Sequence, residues 1–92
     1  MVKKESYFCM SKRELPIKDL RYLSQNIGCS VGFVGKVGQD RWDYSLYPLN
    51  PLSEKDFEFI KEKGLIVLLS PKQSKSLANT LDLSKFADNV LM

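Results

Sequence analysis

The two cysteines are the side chains best suited to nucleophilic chemistry, and their surroundings argue against that role. Cys29 directly follows Gly28, where we expect a helix to end, and the negative end of the helix dipole cannot lower a thiol pKa. The chain contains no histidine, so the usual general base near neutral pH is missing. We therefore expect no enzymatic activity and no catalytic residue.

The common metal and cofactor sites are excluded on similar grounds. Cys9 and Cys29 have no CxxC spacing, and a structural zinc site needs four such ligands. The glycines at 32, 35 and 38 have neither the lysine of a phosphate-binding loop nor the spacing of a dinucleotide site. We expect no metal, no cofactor and two free thiols buried as small hydrophobic side chains.

Two carboxylates close to one another could in principle form an acid/base pair. Asp40 and Asp43 flank Arg41 beside a predicted turn. Alternating charges at such a position are typical of a solvated surface, so we assign this group no catalytic role.

Length and composition describe a small folded domain that spans residues 1–92. Of the 92 residues, 43% are hydrophobic and 27% are charged, which excludes a disordered tail and a disulfide scaffold. The longest apolar run, Leu65–Leu69, is far too short to span a membrane, and the first residues lack the apolar segment of a secretory signal. We expect a cytoplasmic protein without a membrane partner.

Positive charge is concentrated near the start of a chain whose net charge is +3. Residues 1–21 carry six cations against three acidic residues, which suits a nucleic acid or an acidic protein. Two tyrosines are expected on the surface, where tyrosine often marks protein contacts. The candidate partner-binding residues are therefore Lys12, Arg13, Lys18, Arg21, Tyr22 and Tyr47.

Two helices are predicted from apolar periodicity and from the residues at their ends. Residues 15–27 carry an apolar stripe at helical spacing that ends before Gly28, a residue that suits a left-handed C-cap. Residues 53–63 begin with Ser53 and Asp56 in the positions of a capping box, with aspartate in place of the usual glutamate.

The C-terminal third predicts one more helix and a short turn. Ser70 and Gln73 form a second capping pair, with a proline at the first helical position between them. Ser84 is expected to cap a last turn that holds Phe86 and Val90.

Residues 30–47 predict an antiparallel hairpin with Gly38-Gln39 as a two-residue turn. That turn places Gly35 opposite Trp42. On the side that faces the helices it places Val31, Phe33, Trp42, Tyr44 and Leu46. On the opposite side it places Val34, Lys36, Arg41, Asp43 and Ser45.

With strands at residues 5–10 and 65–69, the order becomes strand, helix, strand, strand, helix, strand, helix. The first six elements match the βαββαβ order of a ferredoxin-like α+β sandwich, in one domain. One feature disagrees with that arrangement. Its last strand usually lies at an edge, whereas Leu65–Leu69 is apolar without alternation, which suits a strand covered on both sides. Either the C-terminal helix covers this strand or the strand order differs.

Residues 16–38 allow a different interpretation, a helix-turn-helix. Leu23–Ser24, Ile27–Ser30, Val34 and Val37 occupy its apolar, small and glycine positions, and the segment resembles the lactose-repressor-type DNA-binding domains. The resemblance implies that residues 30–38 form the helix that enters the major groove. That helix would contain or end on three glycines, and an interior glycine costs about 1 kcal/mol relative to alanine. The hairpin accommodates the same glycines and is preferred.

The sequence therefore predicts a small non-catalytic binding protein: a protein-interaction or inhibitor module, of a kind that phages or plasmids encode. The alternative is a nucleic-acid-binding protein that uses its basic first helix or the helix-turn-helix at residues 16–38. A protein partner is expected first. An exposed sheet face would also favour a homodimer, which hides edge strands.

Overall fold

The computed structural model describes residues 6–91. Its elements are, in chain order, β1 (Tyr7–Ser11), α1 (Ile17–Ile27), β2 (Cys29–Lys36), β3 (Trp42–Pro48), α2 (Glu54–Glu62), β4 (Leu65–Leu68), α3 (Pro71–Ala78), a 3₁₀ helix (Leu83–Phe86) and β5 (Val90–Leu91). The predicted β1 began at residue 5, which lies outside the described residues. The chain is thus an α+β protein with three α-helices and a five-stranded sheet.

The strands lie in the order β2-β3-β1-β4-β5. The pairs between β2, β3, β1 and β4 are antiparallel, whereas β5 runs parallel to β4 and makes the sheet mixed. The first seven elements follow the predicted order. The 3₁₀ helix and β5 come after them, so the whole differs from a simple βαββαβ arrangement.

All three helices pack on one face of this sheet. Alternate strand residues, among them Cys9, Tyr44 and Val67, share a single buried cluster with Leu23 of α1 and Leu77 of α3. The same cluster also contains Phe57 and Ile60 of α2 and Phe86 of the 3₁₀ helix. Because side chains alternate between the faces of a strand, the remaining strand residues point to the second face of the sheet. That face carries no described helix.

The predicted helix ends are confirmed where they depend on local hydrogen bonds. The Ser53 hydroxyl accepts from the Asp56 amide at 3.3 Å, while the Asp56 carboxylate accepts from the Ser53 amide at 2.9 Å. Ser70 and Gln73 form the same reciprocal pair at the start of α3. Gly28 ends α1 in the left-handed region, with φ of 68°.

The predicted pairing of the hairpin is confirmed away from the tip, but the predicted tip is wrong. Val31 lies opposite Leu46 and Phe33 opposite Tyr44, as predicted, but Gly35 lies opposite Asp43 instead of Trp42. A β-bulge between Phe33 and Gly35 inserts one extra residue on β2. The Val37 amide donates to the Arg41 carbonyl at 2.8 Å, so residues 38–40 form a three-residue loop, one residue longer than expected.

The bulge also moves one side chain to the other face. Lys36 lies opposite Trp42, and its ammonium group sits 5.3 Å from the centre of that indole ring. The prediction that Lys36 shares a face with Asp43 and Ser45 is therefore wrong. An extra residue on one strand inverts the alternation of every residue beyond it.

The helix-turn-helix interpretation of residues 16–38 is wrong. Residues 30–38 would have formed the recognition helix, but residues 30–36 lie in the edge strand β2. Gly28 ends α1 and turns the chain directly into that strand. Glycines that weaken a helix are tolerated at an edge strand and at a bulge.

The C-terminal prediction is partly corrected. Asp82, and not Ser84, caps the 3₁₀ helix, because its carboxylate accepts from the Ser84 amide at 3.1 Å. Val90 belongs to β5 and pairs with Val67. It is this short parallel strand, instead of a helix, that makes β4 internal in the sheet. The helices cover only the β4 face that carries Leu65 and Val67.

Candidate interaction surfaces

The candidate partner-binding residues predicted from the sequence do not form one site. Tyr47 lies on β3 and points to the helix-free face of the sheet, because its neighbour Leu46 is fully buried under the helices. Tyr22 lies on α1, on the opposite side of the sheet. Both tyrosines are exposed as expected, each at 46%.

Lys12 and Arg13 lie in the connection between β1 and α1. They line a shallow groove of about 380 Å³ at one end of the sheet, together with Ser11, Gly64, Ile66, Asp88 and Asn89. The guanidinium group of Arg13 also forms an ion pair with Asp19 at 3.5 Å. Asp88 in the groove and Asp19 beside Arg13 both reduce the positive potential of this groove.

The remaining basic candidates lie on the exposed surface of α1. Lys18 and Arg21 are both exposed, and neither lines the groove that holds Lys12 and Arg13. The four cations are therefore divided between a loop and a helix surface and do not converge on one phosphate-sized position.

An aromatic cluster joins α1 to α2. The rings of Tyr22 and Phe59 lie 5.0 Å apart, and the Lys63 ammonium group sits 4.5 Å from the centre of the Tyr22 ring. These contacts hold the two helices side by side over the sheet. Because its ring already has two neighbours, Tyr22 contributes to helix packing as well as to the surface.

The helix-free face of the sheet carries a row of apolar side chains that the sequence analysis missed. Phe8 lies opposite Leu68, and Leu68 lies opposite Leu91, so the three cross strands β1, β4 and β5 in one row. Met10 and Ile66 form a second pair beside them. Phe8 is 36% exposed and Leu91 is 44% exposed, while the other three are half-buried. We call this surface, with Tyr47, the open face.

A period of two in β1 and β4 could have revealed the open face. Within Leu65–Leu69 the buried and half-buried residues alternate, but every position is apolar, so hydropathy alone shows no alternation. The sequence therefore suggested a strand covered on both sides, whereas the structure covers one.

The open face carries one described ion pair, between Arg41 and Asp43. Asp43 lies on this face next to Met10 and is buried, with 7% exposure. Its carboxylate accepts a hydrogen bond from Nε of Arg41 at 2.9 Å. The two charges offset one another. Asp40 and Asp43, the two carboxylates that flank Arg41, have different environments: Asp43 is buried and paired with Arg41, whereas Asp40 is exposed in the loop.

The environment of the two thiols does not activate them as nucleophiles. Both are free and buried, as expected. Burial, and secondarily the nearby Cys29, raises the pKa of Cys9 from 9.0 to about 12. Burial, and secondarily Asp56, also raises the pKa of Cys29. Both thiols stay protonated at neutral pH, where a protonated thiol is a poor nucleophile and metal ligand.

The described part of the chain contains neither a metal-binding cluster nor a membrane-spanning helix. Residues 6–91 contain no group of three or more Cys, Asp or Glu side chains placed to hold a metal ion. In the same residues no helix has the length and the apolar character needed to cross a membrane.

Comparisons with protein-family models, with curated proteins and with solved structures each found no match to this chain.

Proposed function

We propose that the protein is a non-catalytic, cytoplasmic protein-binding module, an interaction or inhibitor domain of a kind that phages or plasmids encode, and that its open face contacts the partner. The observation that carries this proposal is the row Phe8, Leu68 and Leu91 on a sheet face without a described helix. We also propose that β1 through β4, in the order β2-β3-β1-β4, form a ferredoxin-like sandwich to which α3 and β5 are additions.

Burial of the open face favours association. Complete burial of a phenylalanine or leucine side chain is worth roughly 1.5–3 kcal/mol relative to exposure, so a half-exposed side chain has about 1 kcal/mol left to gain. The exposed fractions of Phe8, Tyr47 and Leu91 lie between 36% and 46%. Tyrosine is among the residue types that often dominate the binding energy of protein interfaces.

The charge distribution supports a protein partner over a nucleic acid. Nucleic-acid affinity depends mainly on contacts between cations and phosphates. On the open face Arg41 is already engaged by Asp43 at 2.9 Å, and the groove that Lys12 and Arg13 share with Ile66 also contains Asp88. The exposed Lys18 and Arg21 lie on α1, on the other side of the sheet. Nucleic-acid binding through these cations remains the alternative that the experiment must distinguish.

The test measures how two exposed aromatic residues on opposite sides of the sheet affect binding. A protein retained from a cell extract is identified and purified, and its affinity is measured for Phe8→Asp and for the control Tyr22→Asp. We expect Phe8→Asp to weaken binding by at least about tenfold, and Tyr22→Asp to change it by less than about threefold. Tyr47→Asp provides a second open-face variant if Phe8→Asp lowers the thermal stability.

Two outcomes would contradict the proposal. Loss of binding in Tyr22→Asp but not in Phe8→Asp would place the partner on the helical side. Affinity for random-sequence DNA or RNA that falls by about 10³-fold between roughly 50 and 200 mM salt would establish phosphate binding instead.

A further inference from the structure

Within the part of the chain that the structure describes, the outer edge of β2 offers unpaired backbone groups at alternate residues. β2 is the first strand of the sheet, and among residues 6–91 only β3 pairs with it. The Leu49 amide donates to the Gly28 carbonyl at 3.2 Å, which makes 28 and 49 a hydrogen-bonded pair. In an antiparallel ladder such pairs alternate with pairs whose backbone groups point away from one another. Cys29, Val31 and Phe33 therefore direct their N–H and C=O groups outward.

An apolar strip runs beside these groups. Phe33 and Val34 are each 57% exposed, in the second half of β2. Ile17, at the start of α1, is 70% exposed. Since α1 packs on β2 and runs antiparallel to it, the first turn of α1 lies near the second half of β2.

The helix geometry places Ile17 on the flank of α1 that faces this edge. The Tyr22 ring contacts Phe59 of α2, so Tyr22 marks the flank that faces the sheet centre. At about 100° per residue, Ile17 lies on roughly the opposite flank. Ile17 and Phe33 are therefore exposed on the same side, along the free edge of β2.

We propose that the occupant of this edge is a second copy of the chain. In this dimer the two β2 strands pair antiparallel about a two-fold axis at Val31 and form a continuous ten-stranded sheet. The dimer interface lies outside the open face on which the proposed function depends. The dimer leaves both open faces free to bind a partner.

A second copy can pair with all of the outward groups of β2. Cys29 and Phe33 lie symmetrically about Val31, so a two-fold axis there sets Cys29 of each copy opposite Phe33 of the other. All three outward-facing residues of each copy then find hydrogen-bonding partners in the other without a second sequence. The bulge after Phe33 ends the regular edge at the limit of the paired segment.

Charge permits the same arrangement. Residues Cys29–Gly35 contain no charged side chain, and Lys36 lies beyond the paired segment. The paired strand segments themselves therefore place no cations opposite one another across the axis. A long, apolar edge strand without a charge in its middle is otherwise prone to uncontrolled pairing, and a closed dimer removes that exposure.

Light scattering on the intact protein tests the oligomeric state. We expect the wild type to scatter as twice its 10.6 kDa monomer, Phe33→Lys to raise the dimer dissociation constant by at least about tenfold, and the control Leu91→Lys at the opposite sheet edge to leave it unchanged. A wild type that is monomeric at about 1 mM would overturn the proposal. So would a dimer that Leu91→Lys dissociates and Phe33→Lys does not, because that dimer would use the open face.

Two further measurements test the register of the pairing and do not depend on Phe33→Lys. Hydrogen-bonded antiparallel residues have Cα atoms about 5.5 Å apart, within the range for a disulfide, so mild oxidation should link Val31→Cys into a covalent dimer. The wild type, with both thiols buried, and the surface control Ser76→Cys should give little of that product. The Val31 amide should be protected from hydrogen exchange in concentrated solution and lose that protection on dilution. Rapid exchange of this amide at all concentrations would contradict the proposal.

Discussion

The backbone amide of Leu15 donates a buried hydrogen bond to the phenolic oxygen of Tyr44 at 3.0 Å. The bond joins the connection before α1 to the middle of β3, 29 residues along the chain. Leu15 and Tyr44 are both buried, at 3% and 1% exposure. Tyr44 therefore has two functions: its ring fills the core, and its hydroxyl satisfies an amide that would otherwise be buried without a partner.

The Tyr44→Phe variant tests that second function. The change keeps the ring and leaves the Leu15 amide unsatisfied, so we expect the free energy of unfolding to fall by about 1–3 kcal/mol. Urea titration measures this loss. The exposed control Tyr47→Phe should change stability by less than about 0.5 kcal/mol. An equal loss in both variants would show that the Leu15 bond is not the cause.

The capping box of α2 predicts a cost for removing one hydroxyl. Ser53→Ala deletes the acceptor of the Asp56 amide and should lower the free energy of unfolding by about 1 kcal/mol. Ser76→Ala, on the exposed surface of α3, is the matched control and should be neutral or slightly stabilising because alanine has the higher helix propensity. Thermal unfolding of both variants provides the comparison.

Two glycines should respond differently to the same substitution. Gly28 has φ of 68°, a conformation that costs an alanine about 1–2 kcal/mol, although no atom lies within 4 Å of the added Cβ. Gly35 has the same open space without a positive φ, so Gly35→Ala should be neutral or stabilise by up to about 1 kcal/mol. Similar losses in both variants would mean that backbone conformation at Gly28 is not the deciding factor.

The raised pKa of Cys9 predicts that stability falls in alkaline solution. The folded state keeps this thiol protonated up to about pH 12, whereas the unfolded chain releases the proton near pH 9.0. The thiol's contribution is therefore fully present below pH 9 and is lost as the pH rises towards 12. At pH 10.5 the loss should be about 2 kcal/mol, at about 1.4 kcal/mol for each pH unit.

Urea titrations of the wild type and of Cys9→Ala between pH 8 and pH 10.5 measure this contribution, since lysine and tyrosine titration is common to both proteins. The alanine variant should lose less stability over that range. Parallel pH profiles for the two proteins would contradict the prediction.

Much of the local structure was predictable because its causes lie within a few residues of one another. Ser53 with Asp56, Ser70 with Gln73, and Gly28 each end or begin a helix through bonds that reach at most four residues. The pairing of Phe33 with Tyr44 was also predictable, because the two-sided hydropathy pattern of the hairpin permits one alignment over most of its length.

What only the tertiary structure decided depends on contacts between distant segments. The bulge near Val34 sets the tip of the hairpin, and no local signal distinguishes a bulge with a three-residue loop from a two-residue turn. The strand Val90–Leu91 is too short to have a periodicity of its own and forms only because β4 offers it an edge. The open face arises because every described helix packs on the other side of the sheet, which separates Tyr47 from the cations of α1. Composition and short-range spacing thus determined the elements, whereas the distribution of surface between two faces was decided by packing, which acts on the whole chain at once.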